Sequence, residues 1–232
     1  MQIKAIGFDI GQTLVNYNAP LNWNALFPDA LRKVMRDCSI DRYDKLDLAA
    51  AILSKYNTRE NYREYEVSSD IIFKEIFDVW ELDYNKITSA KEAFYGFFQA
   101  DAALFGDVLE TLDALMARSV RLGFLTDVAY GMDNIYALRD ITEIRHYFDA
   151  GFTSVDIGYR KPDARGFLCL AGALGVVPHE MMYVGDEEKD IIGANRAGMV
   201  SVLVRRDVKE RCWDWGQDYT VGSLSEALYI IT

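Results

Sequence analysis

Tyr183-Val184-Gly185-Asp186-Glu187-Glu188-Lys189-Asp190 is the stretch that decides how this 232-residue chain is read. It closes a short apolar run, Met181–Val184, and leads into a helical pattern, Asp190–Ala197. An apolar run of that length that stops at Gly and gives way to helix reads as a buried strand ending in a tight turn. The same pattern recurs in both directions. Lys4-Ala5-Ile6-Gly7-Phe8 stops at Asp9-Ile10-Gly11-Gln12-Thr13, and Val120–Leu125, Ala150–Thr153 and Val200–Val204 are further short apolar runs. Helical patterns over Val108–Arg118, Gly131–Arg139 and Ala164–Leu174 lie between them. Strands alternating with helices predict an α/β fold with a parallel sheet covered on both faces.

Residues from about Tyr17 to about Ala103 break the alternation. Leu26–Met35, Leu46–Leu53 and Ala90–Phe98 carry apolar residues at helical spacing. Ile71, Ile72, Ile76, Val79 and Trp80 mark another helix, with Ser68, Ser69 or Asp70 to cap it. The division expected is therefore a sheet domain over 1–16 and 104–232, with a helical domain over 17–103. Near the end, Asp218–Val221 predicts an edge strand, and Ser223 or Ser225 can cap a short last helix.

Composition narrows the function. The net charge is −11, and no Lys/Arg run supplies the basic footprint that nucleic-acid phosphates need. An anionic substrate would need a local cation to overcome the field. No apolar run is long enough for a bilayer, and no basic stretch followed by an apolar core precedes Ile3–Phe8. A cytoplasmic protein with no membrane or nucleic-acid partner is expected, as a monomer or homodimer. Cys38, Cys169 and Cys212 form no C-x-x-C pair and read as reduced thiols.

Four polar features each follow an inferred strand. Ligands of open parallel sheets gather at the carboxyl ends of the strands, so the four can converge. Asp9 ends the first strand, where a carboxylate can attack. Thr126, followed by Asp127, offers a hydroxyl for a phosphate oxygen. Lys161, before Pro162, is steered away from helix geometry and can neutralise an anion. Asp186 and Asp190 supply hard oxygen ligands that suit Mg²⁺, although acidic residues at a helix start also serve the helix itself.

The order Asp-x-x-x-Thr, Thr at a second strand end, Lys-Pro, then Gly-Asp-x-x-x-Asp with Gly193-Ala194 and Ala197-Gly198-Met199 resembles the four motifs of the haloacid dehalogenase-like hydrolase superfamily. The resemblance covers the chain outside the helical insert. It implies a Rossmann-like core, with the insert standing where the family's C1 cap stands. It further implies an aspartyl-phosphate enzyme working on a small phosphorylated substrate. In that scheme Asp9 is the nucleophile; Asp9, Thr126, Asp127 and Lys161 bind the phosphoryl group. The implied Mg²⁺ ligands are Asp9, the backbone carbonyl of Gly11, Asp186 and Asp190. Phosphoryl transfer needs in-line positioning and charge neutralisation, which these groups can supply.

Two positions depart from the pattern. The family's phosphatases carry a second Asp two residues beyond the nucleophile as acid and base, and here that place is Gly11; the next, usually Gly, is Gln12. General acid–base help is worth roughly 10²–10⁴ in rate, about 3–5 kcal/mol. The expectation is a phosphatase that favours acyl or aryl phosphates, unless Asp127, Glu187 or a residue of the insert donates the proton. Alternatives are a catalytically weak binding or regulatory protein, an L-2-haloacid dehalogenase, or a phosphonate hydrolase with a Schiff-base Lys such as Lys33, Lys45 or Lys55. The dehalogenases carry an aromatic where Gly11 stands and a Ser/Asn-rich fourth motif, which is not the pattern here. Within the insert, Tyr56–Arg63 is the expected substrate-facing region, with Arg59 or Arg63 pairing a second anionic group. Trp23, Trp80, Phe94, Phe97 and Phe98 are expected to fill the insert's own core.

Overall fold

The computed structural model describes residues 2–18, 22–207 and 213–231, so Cys212 lies outside the described residues. The chain divides into two units. One comprises Met1–Asn16, Ala103–Asp127 and Asp140–Thr232, and the other Tyr17–Ala102 and Val128–Arg139.

The first unit is built on strands β1 (Ala5–Phe8), β2 (Val15–Asn16), β3 (Ala103–Leu104), β4 (Arg121–Thr126), β5 (Ala150–Thr153), β6 (Met181–Gly185), β7 (Val200–Val204) and β8 (Tyr219–Val221). Six of them form one parallel sheet in the order β5-β4-β1-β6-β7-β8. β1 lies in the middle, where the order switches from one half of the sheet to the other, and its carboxyl end faces the crevice such a switch creates. Helices are numbered in chain order through both units. α1 (Phe27–Asp37), α2 (Leu46–Tyr56), α3 (Ser69–Val79) and α4 (Ile87–Phe98) come first, in the second unit. Then follow α5 (Val108–Ala117), the short α6 (Asn134–Ala137), α7 (Ser154–Ile157), α8 (Ala164–Ala173), α9 (Glu188–Ala197) and α10 (Leu224–Ala227). The fold is α/β and Rossmann-like. Leu170 of α8 and Leu174 just after it settle on the sheet because Gly7 and Gly123 leave room: a Cβ on Gly123 would stand 2.8 Å from a Leu170 methyl. Ser223 caps α10 by accepting from Glu226 N–H.

In the second unit α1 packs chiefly on α4, and the core is aromatic. Phe73, Phe94 and Tyr95 meet edge to face, and Trp23 stacks on Phe98 at 3.8 Å between ring centroids. Ser68 accepts from Asp70 N–H at the start of α3.

Val128–Arg139 corrects the sequence reading in two respects. The segment was expected to be a helix over 131–139 and to belong with the sheet. It is instead a 3₁₀ turn over Ala129–Gly131 and the four-residue α6, and it packs with the helical unit. Tyr130 at φ 52° and Gly131 at φ 60° interrupt any continuous helix. Val128, Tyr130, Met132 and Tyr136 join the helical core, where Tyr130 meets Trp23, Phe27 and Phe94. Polar bonds add to the attachment: Tyr95 OH donates to Tyr130 O, and Lys91 Nζ and Ser69 Oγ both reach Asp133. No helix among the described residues is long and apolar enough to cross a membrane.

Candidate active site

The sheet register aligns three of the four polar features. Phe8 is level with Phe124 on one side and Val184 on the other. Asp9 therefore emerges at the carboxyl end of β1 between Thr126, the last residue of β4, and Asp186, which follows β6. The chain then doubles back tightly. Leu14 and Val15 N–H both donate to Ile10 O at 2.9 Å, and Gln12 N–H donates to Val15 O at 2.7 Å. Gln12 takes φ 56°, a left-handed conformation that the family's usual Gly adopts without strain. The turn's bonds use Ile10 O and Gln12 N–H, so the Gly11 carbonyl is left to another partner.

Lys161 arrives from the loop before α8. Its ammonium donates to Asp9 Oδ1 at 2.7 Å and Asp190 Oδ1 at 2.5 Å, with Tyr183 OH at 3.3 Å and Leu125 O at 3.4 Å. Tyr183 OH itself donates to Leu125 O at 2.6 Å. Burial opposes charge on Lys161, but Asp190 and Asp9 outweigh it and hold the ammonium protonated well above the ordinary range.

Asp190 is held by the helix it begins. Glu187 N–H donates to its Oδ2 at 2.9 Å, and Glu187 returns a bond to Asp190 N–H, a reciprocal cap on α9. The carboxylate lies directly over Gly185, where a Cβ would stand 2.4 Å from Asp190 Cγ. This contact explains why the residue before Asp186 is Gly. With Lys161 on one oxygen and a backbone N–H on the other, Asp190 is better placed to hold Lys161 than to ligate an ion.

Asp9, Asp186 and Asp190 each offer a carboxylate oxygen, the three lying within 4.8 Å of one another. Burial first, then Asp9, Asp190 and Glu187, push Asp186 well above the carboxylate range. Asp190 rises to about 6 because burial and Asp9 outweigh Lys161. Three buried carboxylates outnumber the ammonium groups that act on them, Lys161 and, on Asp190, Lys189, and a divalent cation would neutralise the remainder. The donor set is all oxygen, as a hard cation requires. Thr13 Oγ1 donates to Asp186 Oδ1 at 3.0 Å and Lys161 takes Asp9 Oδ1, so Oδ2 of both, with the Gly11 carbonyl, could hold Mg²⁺.

Asp127 faces a different set of partners. Oδ1 accepts from Lys161 N–H at 3.1 Å, and Oδ2 lies 3.2 Å from Lys189 Nζ and 3.7 Å from Arg160 Nη2. Burial would raise its pKa, but Lys189, Arg160 and Lys161 together lower it to about 2. Asp127 is therefore no proton donor at neutral pH, contrary to one expectation from the sequence. Its carboxylate is engaged with these cations, so any hold on an anion falls to its backbone N–H. Glu187, the other candidate donor in this unit, is engaged by the α9 cap and by Lys189 at 2.8 Å. Arg63 is likewise committed elsewhere: buried, it donates to Tyr56 O at 2.8 Å and pairs with Glu66. Arg59 is exposed. Tyr183, Arg160 and Lys189 were not singled out by their residue pattern, and Thr13 entered only as the Thr of Asp-x-x-x-Thr, with no role given to it. Tyr183 sat inside an apolar run where its hydroxyl was the only clue.

A family profile described as haloacid dehalogenase-like hydrolase matches residues 3–198. A glyceraldehyde 3-phosphate phosphatase of Methanopyrus kandleri is 30% identical over 240 residues, covering 99% of this chain and 97% of that protein. A phosphoglycolate phosphatase of Escherichia coli K12 is 33% identical over 99 residues, covering 43% of this chain and 38% of that protein. Among solved structures, a HAD phosphatase from Thermococcus onnurineus superimposes with TM-score 0.67 at 22% identity, covering 98% of this chain and 97% of that one. A 2-haloacid dehalogenase from Pseudomonas syringae pv. tomato does so with TM-score 0.71, at the same identity and coverage. Likeness at that identity establishes the fold and does not choose between the two chemistries.

Proposed function

The chain belongs to the haloacid dehalogenase-like hydrolases, and on that premise we propose that it is a Mg²⁺-dependent phosphatase of small phosphorylated metabolites, with Asp9 as nucleophile. One observation carries the reading: buried Asp9, Asp186 and Asp190 bring carboxylate oxygens within 4.8 Å of one another, and the Lys161 ammonium bonds Asp9 and Asp190. This arrangement suits a dianion brought in with a divalent cation and suits little else. Two relatives named as phosphatases of two- and three-carbon phosphate esters support the substrate class. The helical unit over 17–102, joined by 128–139, would act as the cap that excludes water and selects the substrate.

In the proposed reaction an Asp9 oxygen attacks phosphorus, and the bond to the leaving oxygen breaks with its electron pair. Water then attacks the aspartyl phosphate, releasing inorganic phosphate and restoring Asp9. Mg²⁺, held by Asp9, Asp186 and the Gly11 carbonyl, would supply charge neutralisation. Lys161 orients Asp9 and offers its ammonium to a phosphoryl oxygen, and Thr126 with the Asp127 N–H would hold the others. Asp190 and Tyr183 keep Lys161 aimed.

The proton inventory supports a preference among substrates. Gly11 has no side chain, Asp127 is ionised, Glu187 is engaged, and Asp186, its pKa raised by burial, would give up its proton on ligating the cation. Leaving groups that need no proton, such as acyl and aryl phosphates, should therefore react fastest relative to their alkyl counterparts.

The test compares acetyl phosphate, p-nitrophenyl phosphate, glyceraldehyde 3-phosphate and phosphoglycolate, with Mg²⁺ and with EDTA. Hydrolysis should need Mg²⁺, and D9N should lower kcat at least about 10³-fold. Activity that survives D9N or EDTA would sink the proposal. A rate independent of leaving-group pKa would sink only the substrate preference.

A further inference from the structure

We infer that Arg206, which belongs to none of the four motifs, is a positioning residue that sets the protein's affinity for its divalent cation. The inference rests on the reading of Asp9, Gly11 and Asp186 as the cation's ligands.

The route from Arg206 to the carboxylates is short. Arg206 follows β7, and its guanidinium forks. Nη1 pairs with Asp107 Oδ2 at 2.9 Å, and Nη2 donates to the backbone carbonyl of Thr13 at 3.1 Å. The same fork lies on the ring of Phe105, 3.8 Å from guanidinium carbon to ring centroid. Asp107 Oδ2 also accepts from Leu224 N–H at 2.8 Å, which ties it to the start of α10. Thr13 is fully buried and turns its hydroxyl to Asp186 Oδ1 at 3.0 Å. The peptide that Arg206 grips is thus the peptide whose side chain orients a proposed ligand.

The turn has reason to need an outside hold. Between Ile10 and Val15 the backbone reverses within a few residues, with Gln12 at a φ of 56° that a side-chain-bearing residue adopts at a cost. Phe105 N–H donates to Leu14 O at 3.0 Å, and β3 pairs with β2 just beyond. These bonds secure the far side of the turn. Arg206 secures Thr13, the residue nearer the carboxylates. Partners of this kind, which orient a ligand without touching the ion, commonly change metal affinity by roughly 10–100-fold when removed. The fork geometry matters because one planar guanidinium serves Asp107 and Thr13 at once. A lysine has one ammonium, and it would be drawn to the carboxylate.

The test is direct titration of the EDTA-stripped full-length protein with Mg²⁺ and Mn²⁺ by calorimetry, beside thermal unfolding. R206M should weaken cation binding about tenfold. R206K keeps the ion pair to Asp107, so it should unfold at the wild-type temperature and still bind the cation more weakly; it also serves if R206M does not fold. T13V removes the hydroxyl but keeps the carbonyl, and R206K placed on T13V should weaken binding no further. Wild-type affinity in both Arg206 variants would overturn the inference, as would additive losses in the double variant. A wild-type protein that takes up neither cation would instead overturn the ligand reading beneath it.

Discussion

Each unit buries a lysine between two aspartates, and the two triads differ in nearly every consequence. In the helical unit Lys91 meets Asp70 and Asp133, which remain 60% and 40% exposed. Lys91 lowers the Asp70 pKa, so the pair is comfortably ionised. In the sheet unit Lys161 meets Asp9 and Asp190, whose side chains are 8% and 0% exposed. Asp190 is pushed up to about 6 although it touches an ammonium at 2.5 Å. The same three groups make a stable clasp where water reaches the carboxylates. They make an under-neutralised site where it does not. Stability alone would not concentrate charge in this way, and such concentration is how binding sites for charged ligands are built.

The contrast can be broken by removing each ammonium in turn. K161M takes from buried Asp9 and Asp190 the ammonium they contact, and it should lower stability by about 3–5 kcal/mol in denaturant titration. Added Mg²⁺ should recover part of the loss. If K161M unfolds at the wild-type denaturant concentration without metal, the carboxylates are not in conflict. A smaller effect attaches to Asp127, the one buried carboxylate of the site region with cations to spare. Its folded pKa of about 2 lies below the ordinary 3.8, so the ionised form stabilises fully above about pH 4. That contribution is lost as pH falls through 2, and it amounts to roughly 2 kcal/mol. D127N should be less stable than wild type by about that amount at pH 7, with the gap closing between pH 4 and 2. A gap independent of pH would assign the loss to packing. The smallest effect should come from K91M, about 1 kcal/mol because solvent screens its partners. A cost equal to that of K161M would erase the distinction between the triads.

The meeting of the polar residues was legible in the sequence wherever spacing carries it. Gly185-Asp186 and Asp190 could be read because a strand end, a turn and the first turn of a helix fix their relation, and the parallel sense of the sheet followed from short apolar runs alternating with helical ones, though the order of its strands did not. Partner choice was not legible. Nothing in the residue pattern tells that Asp190 takes Lys161, that Asp127 turns to the Lys161 backbone, or that Arg63 is spent on Glu66. Those pairings depend on distances across 29, 34 and 3 residues that only packing fixes. β2 and β3 are two residues each, too short to give a period. Residues 131–139 misled because their apolar spacing fits a helix, while the adjoining Tyr130 packs on Trp23, Phe27 and Phe94 and Tyr136 packs on Tyr95.

That last segment has a consequence for anyone building chimeras. The boundary between the units is crossed at 16/17, 102/103, 127/128 and 139/140. Excising 17–102 as a cassette would strip the cover from Val128, Tyr130, Met132 and Tyr136 and leave a sticky apolar flap on the remaining scaffold. A transplanted helical unit has to travel as two pieces, with the second stitched in immediately after Asp127.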